Sequence, residues 1–136
     1  MSFPEDRMFD LMNISQDFSP EVTVLMTTRY FVKCKDYHTL VAHVLNTIAL
    51  AIIEGEKVKG KLLDVFDLRI DMLGTKFKNV DIGFMKSLLK SIVKMFPGKL
   101  RKCEIYNAPG FFPPLYKMLS PIIPKEARGK IHFIKK

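Results

Sequence analysis

Apolar positions recur along this chain with two different periods. From Val22 to Phe31 the sequence is dense in β-branched and aromatic residues, which fits a strand. Leu40, Val41, Val44, Leu45, Ile48 and Ile52 then follow helical spacing, so a helix is expected from about Tyr37 to Glu54, capped by Asp36 and stopped at Gly55. A second strand is expected over 61–71, centred on 62–68. After a loop containing Gly74, Asn79 or Asp81 opens a helix that reaches Phe96, where Pro97-Gly98 ends it. Its apolar stripe is Phe84, Leu88 and Ile92 with Met85, Leu89 and Phe96, while Lys86, Lys90 and Lys94 recur on another face. Residues 102–107 read as a third strand and 131–134 as a fourth. Between them lie the almost wholly apolar run Phe111 to Ile123 and a short helix near 125–129.

Strands that alternate with helices imply βαβ units, so the expected fold class is α/β with a mostly parallel sheet and helices packed on it. Residues 1–21 show little periodicity and are expected to form a leader, extended or partly helical. Residues 22–136 are then a single domain. A chain of 136 residues suits one domain, and at that size it buries about two-thirds of its unfolded surface. Its 48% hydrophobic and 26% charged content excludes a disordered or collagen-like chain. Cys34 and Cys103 form no disulfide framework and no metal spacing, and no apolar leader opens the sequence, so a cytoplasmic location is expected. The stretch Leu40 to Ile53 is interrupted by His43, Asn46 and Thr47 and falls short of the roughly 20 apolar residues of a membrane span. It is expected to be a buried helix.

Charge changes this picture. The net charge of +8 is unevenly placed: residues 1–55 hold four basic and seven acidic side chains, residues 56–136 eighteen and seven. A basic half points to a polyanionic partner such as nucleic acid, an anionic membrane or a phosphorylated ligand, although lysines also serve simply to solvate exposed faces.

Candidate chemistry is sparse. Gly55-Glu56-Lys57-Val58-Lys59-Gly60-Lys61-Leu62 approaches a phosphate-binding loop, but Leu62 stands where a hydroxyl must hold Mg²⁺ and the order is helix–loop–strand. His38 and His43 are five apart, which does not put two imidazoles on one helical face. Asp64 and Asp67 are three apart on a strand and point to opposite faces. No nucleophile elbow occurs. The chain therefore reads as a non-enzyme, with no cofactor and no metal. Tyr106, Phe111, Phe112 and Tyr116 could stack bases, yet no cations interleave with them and no recognition motif accompanies them, which disfavours nucleic acid as a partner.

The most informative segment is Phe111 to Ile123, in which Lys117 is the one charged residue. As a helix it places Leu115, Met118, Leu119 and Ile122 on one face while Tyr116 and Ile123 keep other faces apolar. Such a helix is internal to a core, covers a cavity, or touches a membrane. Phe96-Pro97-Gly98-Lys99-Leu100, Ile105-Tyr106-Asn107-Ala108-Pro109, this apolar segment, and Lys130-Ile131-His132-Phe133-Ile134 follow one another in an order that resembles the C-terminal half of the CRAL-TRIO lipid-binding domain. Val65-Phe66-Asp67-Leu68 and Asn79-Val80-Asp81 also fit that pattern.

The resemblance implies an α/β bowl whose sheet floors a pocket for one lipid, phospholipid or phosphoinositide among them, with Phe111 to Ile123 as a movable gate. It implies gate residues Phe111, Phe112, Leu115, Met118, Leu119 and Ile122, pocket walls Phe66, Leu68, Phe84, Leu88 and Ile105, and Lys130 as contact for a headgroup phosphate. Where phosphatidylinositol binders of that family carry Glu, Thr and Lys, this chain has Gly98, Ala127 and Lys130; Ile70 also replaces a common Gly. The N-terminal helical subdomain usual in the family has no counterpart in residues 1–21. The expected function is non-catalytic binding, and transfer between membranes, of a hydrophobic lipid by a peripherally membrane-associated protein that favours anionic surfaces. The alternative is a degenerate domain with a filled pocket that serves as a protein-interaction or membrane-targeting adaptor. A homodimer or a protein partner could stand in for the missing flanking helices.

Overall fold

The computed structural model describes residues 11–15, 22–31 and 37–134. Five strands form one sheet in the order β1-β2-β3-β4-β5: β1 Met12–Ile14, β2 Val22–Thr27, β3 Phe66–Asp71, β4 Leu100–Tyr106 and β5 Ile131–Ile134. β1 pairs antiparallel with β2, and every later pair is parallel. The crossovers are α1 Tyr37–Lys59, α2 Ile82–Met95, and α3 Phe112–Leu119 followed by α4 Lys125–Arg128. The α/β class with a mostly parallel sheet is thus observed.

Several boundaries differ from the sequence pattern, each for a physical reason. α1 passes through Gly55, which is buried, and stops at Gly60, where φ is 68° and the N–H bonds Glu56 O at 2.8 Å. One interior glycine costs only about 1 kcal/mol, less than a buried helical turn returns. The strand expected from residue 61 begins at Phe66, because Leu62 is 83% exposed and the Leu63 N–H bonds the Glu56 carboxylate at 3.0 Å, holding this segment against the helix end. β2 ends at Thr27, and Thr28–Tyr30 form a single 3-10 turn. Within the expected leader, β1 adds an edge strand to the sheet. The expected cap Asp36, Cys34 and residues 1–10 and 16–21 of the leader lie outside the described residues. α2 begins where its cap requires: the Asp81 carboxylate accepts the Phe84 N–H at 3.0 Å.

The two faces of the sheet are unlike. Val22, Val24, Met26, Phe66, Leu68, Cys103 and Ile105 point to one side and meet Leu40, Val44 and Ile48 of α1 and Phe84, Leu88 and Ile92 of α2 in a single buried core. By length and composition α1 could cross a membrane, but its inner face is part of this core. Right-handed crossovers between neighbouring parallel strands set all the helices on that side.

The reverse face is polar and cross-linked by charge. Arg69 and Lys102 approach Glu104 at 3.7 and 3.5 Å, and Arg69 lies over the Tyr106 ring at 5.2 Å. Phe66 pairs with Leu100 but Asp67 with Lys102, so Arg101 is the extra residue of a bulge. From there its guanidinium forks onto the buried Asp67 carboxylate at 2.9 and 2.6 Å.

Candidate functional site

Under α3 the helical side of the sheet holds a partly open cavity of about 60 Å³. Its floor is Met26, Leu68, Ile70, Cys103, Ile105 and Ile131, and its side wall is Phe84, Met85, Leu88 and Leu89 of α2. The roof is Phe112, Tyr116 and Leu119 of α3 with Ile123 just beyond it. Thr28, Phe31, Asn79, Val80 and Asp81 close the end at the carboxyl termini of the strands, the end at which open α/β sheets usually bind their ligands.

The roof helix is set by its sequence. Pro113 and Pro114 stand in its first turn, where an N–H has no intrahelical partner, and Pro121 turns the chain out through a 3-10 turn, Ser120–Ile122. Phe112 is 1% exposed and joins the main core. Tyr116 meets the Phe133 ring edge-on at 5.1 Å. Leu119, Ile123, Ala127 and Leu89 form a second, separate buried cluster. The distal half of the roof therefore rests on its own small hydrophobic seat.

Among the described residues no cationic side chain lines the cavity; its titratable groups are Asp81, Cys103 and Tyr116. Asp81 is occupied as the α2 cap. Burial pushes the Cys103 thiol up to about 12, with the Glu104 charge adding to the effect. Tyr116 is also raised, first by burial and then by Cys103, with Arg128 opposing. Neither thiol nor phenol is poised for chemistry near neutrality. No cluster of three or more His, Cys, Asp or Glu side chains able to hold a metal occurs among the described residues.

Of the expected pocket walls, Leu68, Phe84, Leu88 and Ile105 line the cavity. Phe66 is buried outside its lining, edge-on to Phe96 at 5.9 Å. Of the expected gate residues, Phe112 and Leu119 face the cavity. Leu115 is half-buried against the main core, Phe111 packs on Phe77 with ring centroids 5.5 Å apart, and Met118 points outward at 74% exposure. The Ile122 side chain lies outside the described residues. Lys130 is not among the lining residues; its Nζ lies 4.0 Å from the Glu126 carboxylate and its carbonyl accepts the Cys103 N–H at 2.8 Å.

Met26, Phe31, Val80 and Ile123 also line the cavity and were not singled out in the sequence. Alternation from Val22 places Met26 inward, so that residue carried a usable signal. Phe31 did not: it reaches the site by stacking on Phe84 at 4.8 Å, with its carbonyl held by Asn79 Nδ2 at 2.9 Å.

A mostly parallel sheet with one helical layer and an apolar cavity roofed by a proline-started helix defines an α/β domain with a pocket on its helical side. The chain belongs to the CRAL/TRIO domain family, whose model matches residues 21–136. Its structure is similar to one titled "Crystal structure of Sfh5", with a TM-score of 0.62 and 16% sequence identity, over 93% of this chain and 47% of that one. This likeness speaks to the fold, and the chain spans about half the length of that structure. No curated protein matches the sequence.

Proposed function

We propose that this chain binds the hydrocarbon portion of one lipid beneath α3 and carries it without catalysing a reaction. The observation that supports this most is a partly open, almost wholly apolar cavity whose roof is a short helix with a partly separate hydrophobic seat. Family membership agrees with it.

The cavity at 60 Å³ is smaller than the roughly 150 Å³ that takes up a benzene. An acyl chain therefore enters only as α3 moves outward. Uncovering Phe112, Leu119 and Ile123 costs about 2 kcal/mol each, or roughly 6 in all. Burying a methylene returns about 0.8 kcal/mol, so about eight methylenes offset the opening and a chain of ~16 carbons leaves a surplus. Because no cation among the described residues lines the cavity, a phosphate inside it would lack a partner among them. The polar headgroup accordingly stays outside the lining, where Lys130 is available to a phosphate despite its 4.0 Å contact with Glu126.

Native mass spectrometry of the purified chain, paired with transfer of a fluorescent phospholipid between vesicles, tests the proposal. A lipid bound one to one, together with transfer, is expected. Lipid-free protein that neither takes up nor transfers lipid defeats it. The small cavity volume favours one other reading, a filled-pocket adaptor that recruits a partner, and a stoichiometric lipid excludes that reading.

A further inference from the structure

Of two loops at the carboxyl end of the sheet, the first carries apolar side chains exposed to solvent, and the second ends in a half-buried ring packed on both the first loop and the core. One follows β3 and bears Leu73, 59% exposed, and Phe77, 61% exposed, with exposed Lys76 and Lys78 on either side of Phe77. The other follows β4 and ends in Phe111, whose ring meets that of Phe77 at 5.5 Å. The loops are braced together at their base, where Asn107 Nδ2 donates to Asp71 Oδ1 at 3.0 Å and the Met72 N–H to Tyr106 O at 2.9 Å. Asn107 holds a left-handed φ of 57° there. The result is an aromatic pair on a braced tip, with one exposed lysine on each side of Phe77 in the chain.

Its position relative to the cavity matters as much as its composition. Asn79, Val80 and Asp81, immediately after this Lys-Phe-Lys turn, line the cavity end. Phe112, immediately after Phe111, is its roof. Phe77 thus stands exposed, with the half-buried Phe111 under it, beside the same end of the same chamber.

We propose that Leu73, Phe77 and Phe111, with Lys76 and Lys78, form a docking tip that inserts into the interfacial layer of an anionic bilayer. Aromatic rings settle at the depth of the headgroups while lysines beside them meet lipid phosphates and carboxylates. The carboxylates at the tip, Asp71 and Asp81, are both engaged as backbone caps, Asp71 to the Leu73 N–H at 2.9 Å and Asp81 to Phe84. A protein partner would also accept an exposed aromatic pair. The flanking lysines, in a half-chain with eighteen cations against seven anions, favour the membrane. Docking is independent of lipid loading, since it is read by vesicle binding and not by uptake.

The chain contains no tryptophan, so a Phe77→Trp variant carries a single indole at the tip. With vesicles of phosphatidylcholine and phosphatidylserine its emission should shift to the blue and be quenched by brominated acyl chains. Each lysine near an anionic surface contributes roughly five-fold in affinity. Lys76→Glu with Lys78→Glu should therefore weaken vesicle binding by roughly 25-fold or more, and Phe77→Ser by roughly ten-fold. Lys90→Glu with Lys94→Glu, on the outer face of α2, should weaken it by less than the tip lysines do. An unshifted, unquenched F77W indole overturns the proposal. So does vesicle binding that survives the tip changes but is lost with the α2 lysines.

Discussion

Replacing Phe112 with alanine removes the largest fully buried side chain in the roof of the cavity. The ring is 1% exposed and lies 6.0 Å from the Phe133 centroid, so its loss deletes both burial and an aromatic contact. Phe→Ala changes at such sites cost about 3–5 kcal/mol, of which ~24 cal/mol per Å³ belongs to the void left behind. Here the void merges with one of 60 Å³ already present, and the roof can relax only as far as Pro113 and Pro114 allow. We expect a loss near 4 kcal/mol, a large share of the ~5–15 kcal/mol that holds a domain folded. For a chain of this length that is a fall in Tm of roughly 12–16 °C. Urea unfolding with unchanged slope measures it. The enlarged chamber should then take small hydrocarbons such as benzene, and a ligand at 100-fold its Kd restores about 2.7 kcal/mol. Met118→Ala, on the outward face of the same helix, should change stability by no more than about 0.5 kcal/mol. A Phe112→Ala loss below about 1.5 kcal/mol, or no stabilisation by any hydrocarbon, would refute the placement of this ring over a chamber that can swell.

Two further changes probe the sheet. Arg101→Leu leaves the Asp67 carboxylate, 5% exposed, without its forked partner. Since the Arg101 side chain is 37% exposed, solvent softens the cost to about 1–3 kcal/mol at neutral pH, read by denaturant unfolding. For Cys103 the folded thiol is raised from 9.0 to about 12. The unfolded chain then loses its proton first, so this group's contribution is complete below pH 9 and is lost as pH rises towards about 12, by up to ~1.4 kcal/mol per pH unit. Cys103→Ala should flatten that alkaline slope, and in the native protein the thiol should stay unreactive to disulfide reagents at pH 8.

Local sequence carried much of the fold. α2 was legible at both ends because Asp81 caps it and Pro97-Gly98 follows it, and β5 because Ile131, Phe133 and Ile134 have strand character. β1 was not, since three residues held by an antiparallel neighbour leave no periodic trace. Leu62-Leu63 imitated a strand, but a carboxylate seven residues away decides their conformation. The cavity was legible in part. Leu68, Phe84, Leu88, Ile105, Phe112 and Leu119, named through the family resemblance, line it, whereas Met118, placed on the same helical face as Leu119, turns outward. Lys130 illustrates what motif order omits: two residues beyond α4, its ammonium lies 4.0 Å from the Glu126 carboxylate and outside the cavity lining.

The ionic lattice across β3 and β4 has a mechanical consequence. Asp67 tied to Arg101, and Glu104 to Arg69, join adjacent strands on the side away from the helices, with Lys102 beside Glu104 on the same strand. Sliding or splaying of these strands would break charge contacts as well as ladder hydrogen bonds. The sheet is thereby the stiff plate of the molecule, and any change of interior volume falls on the helical layer. Expansion and contraction are directional, upward through α3, while the lower boundary holds its shape.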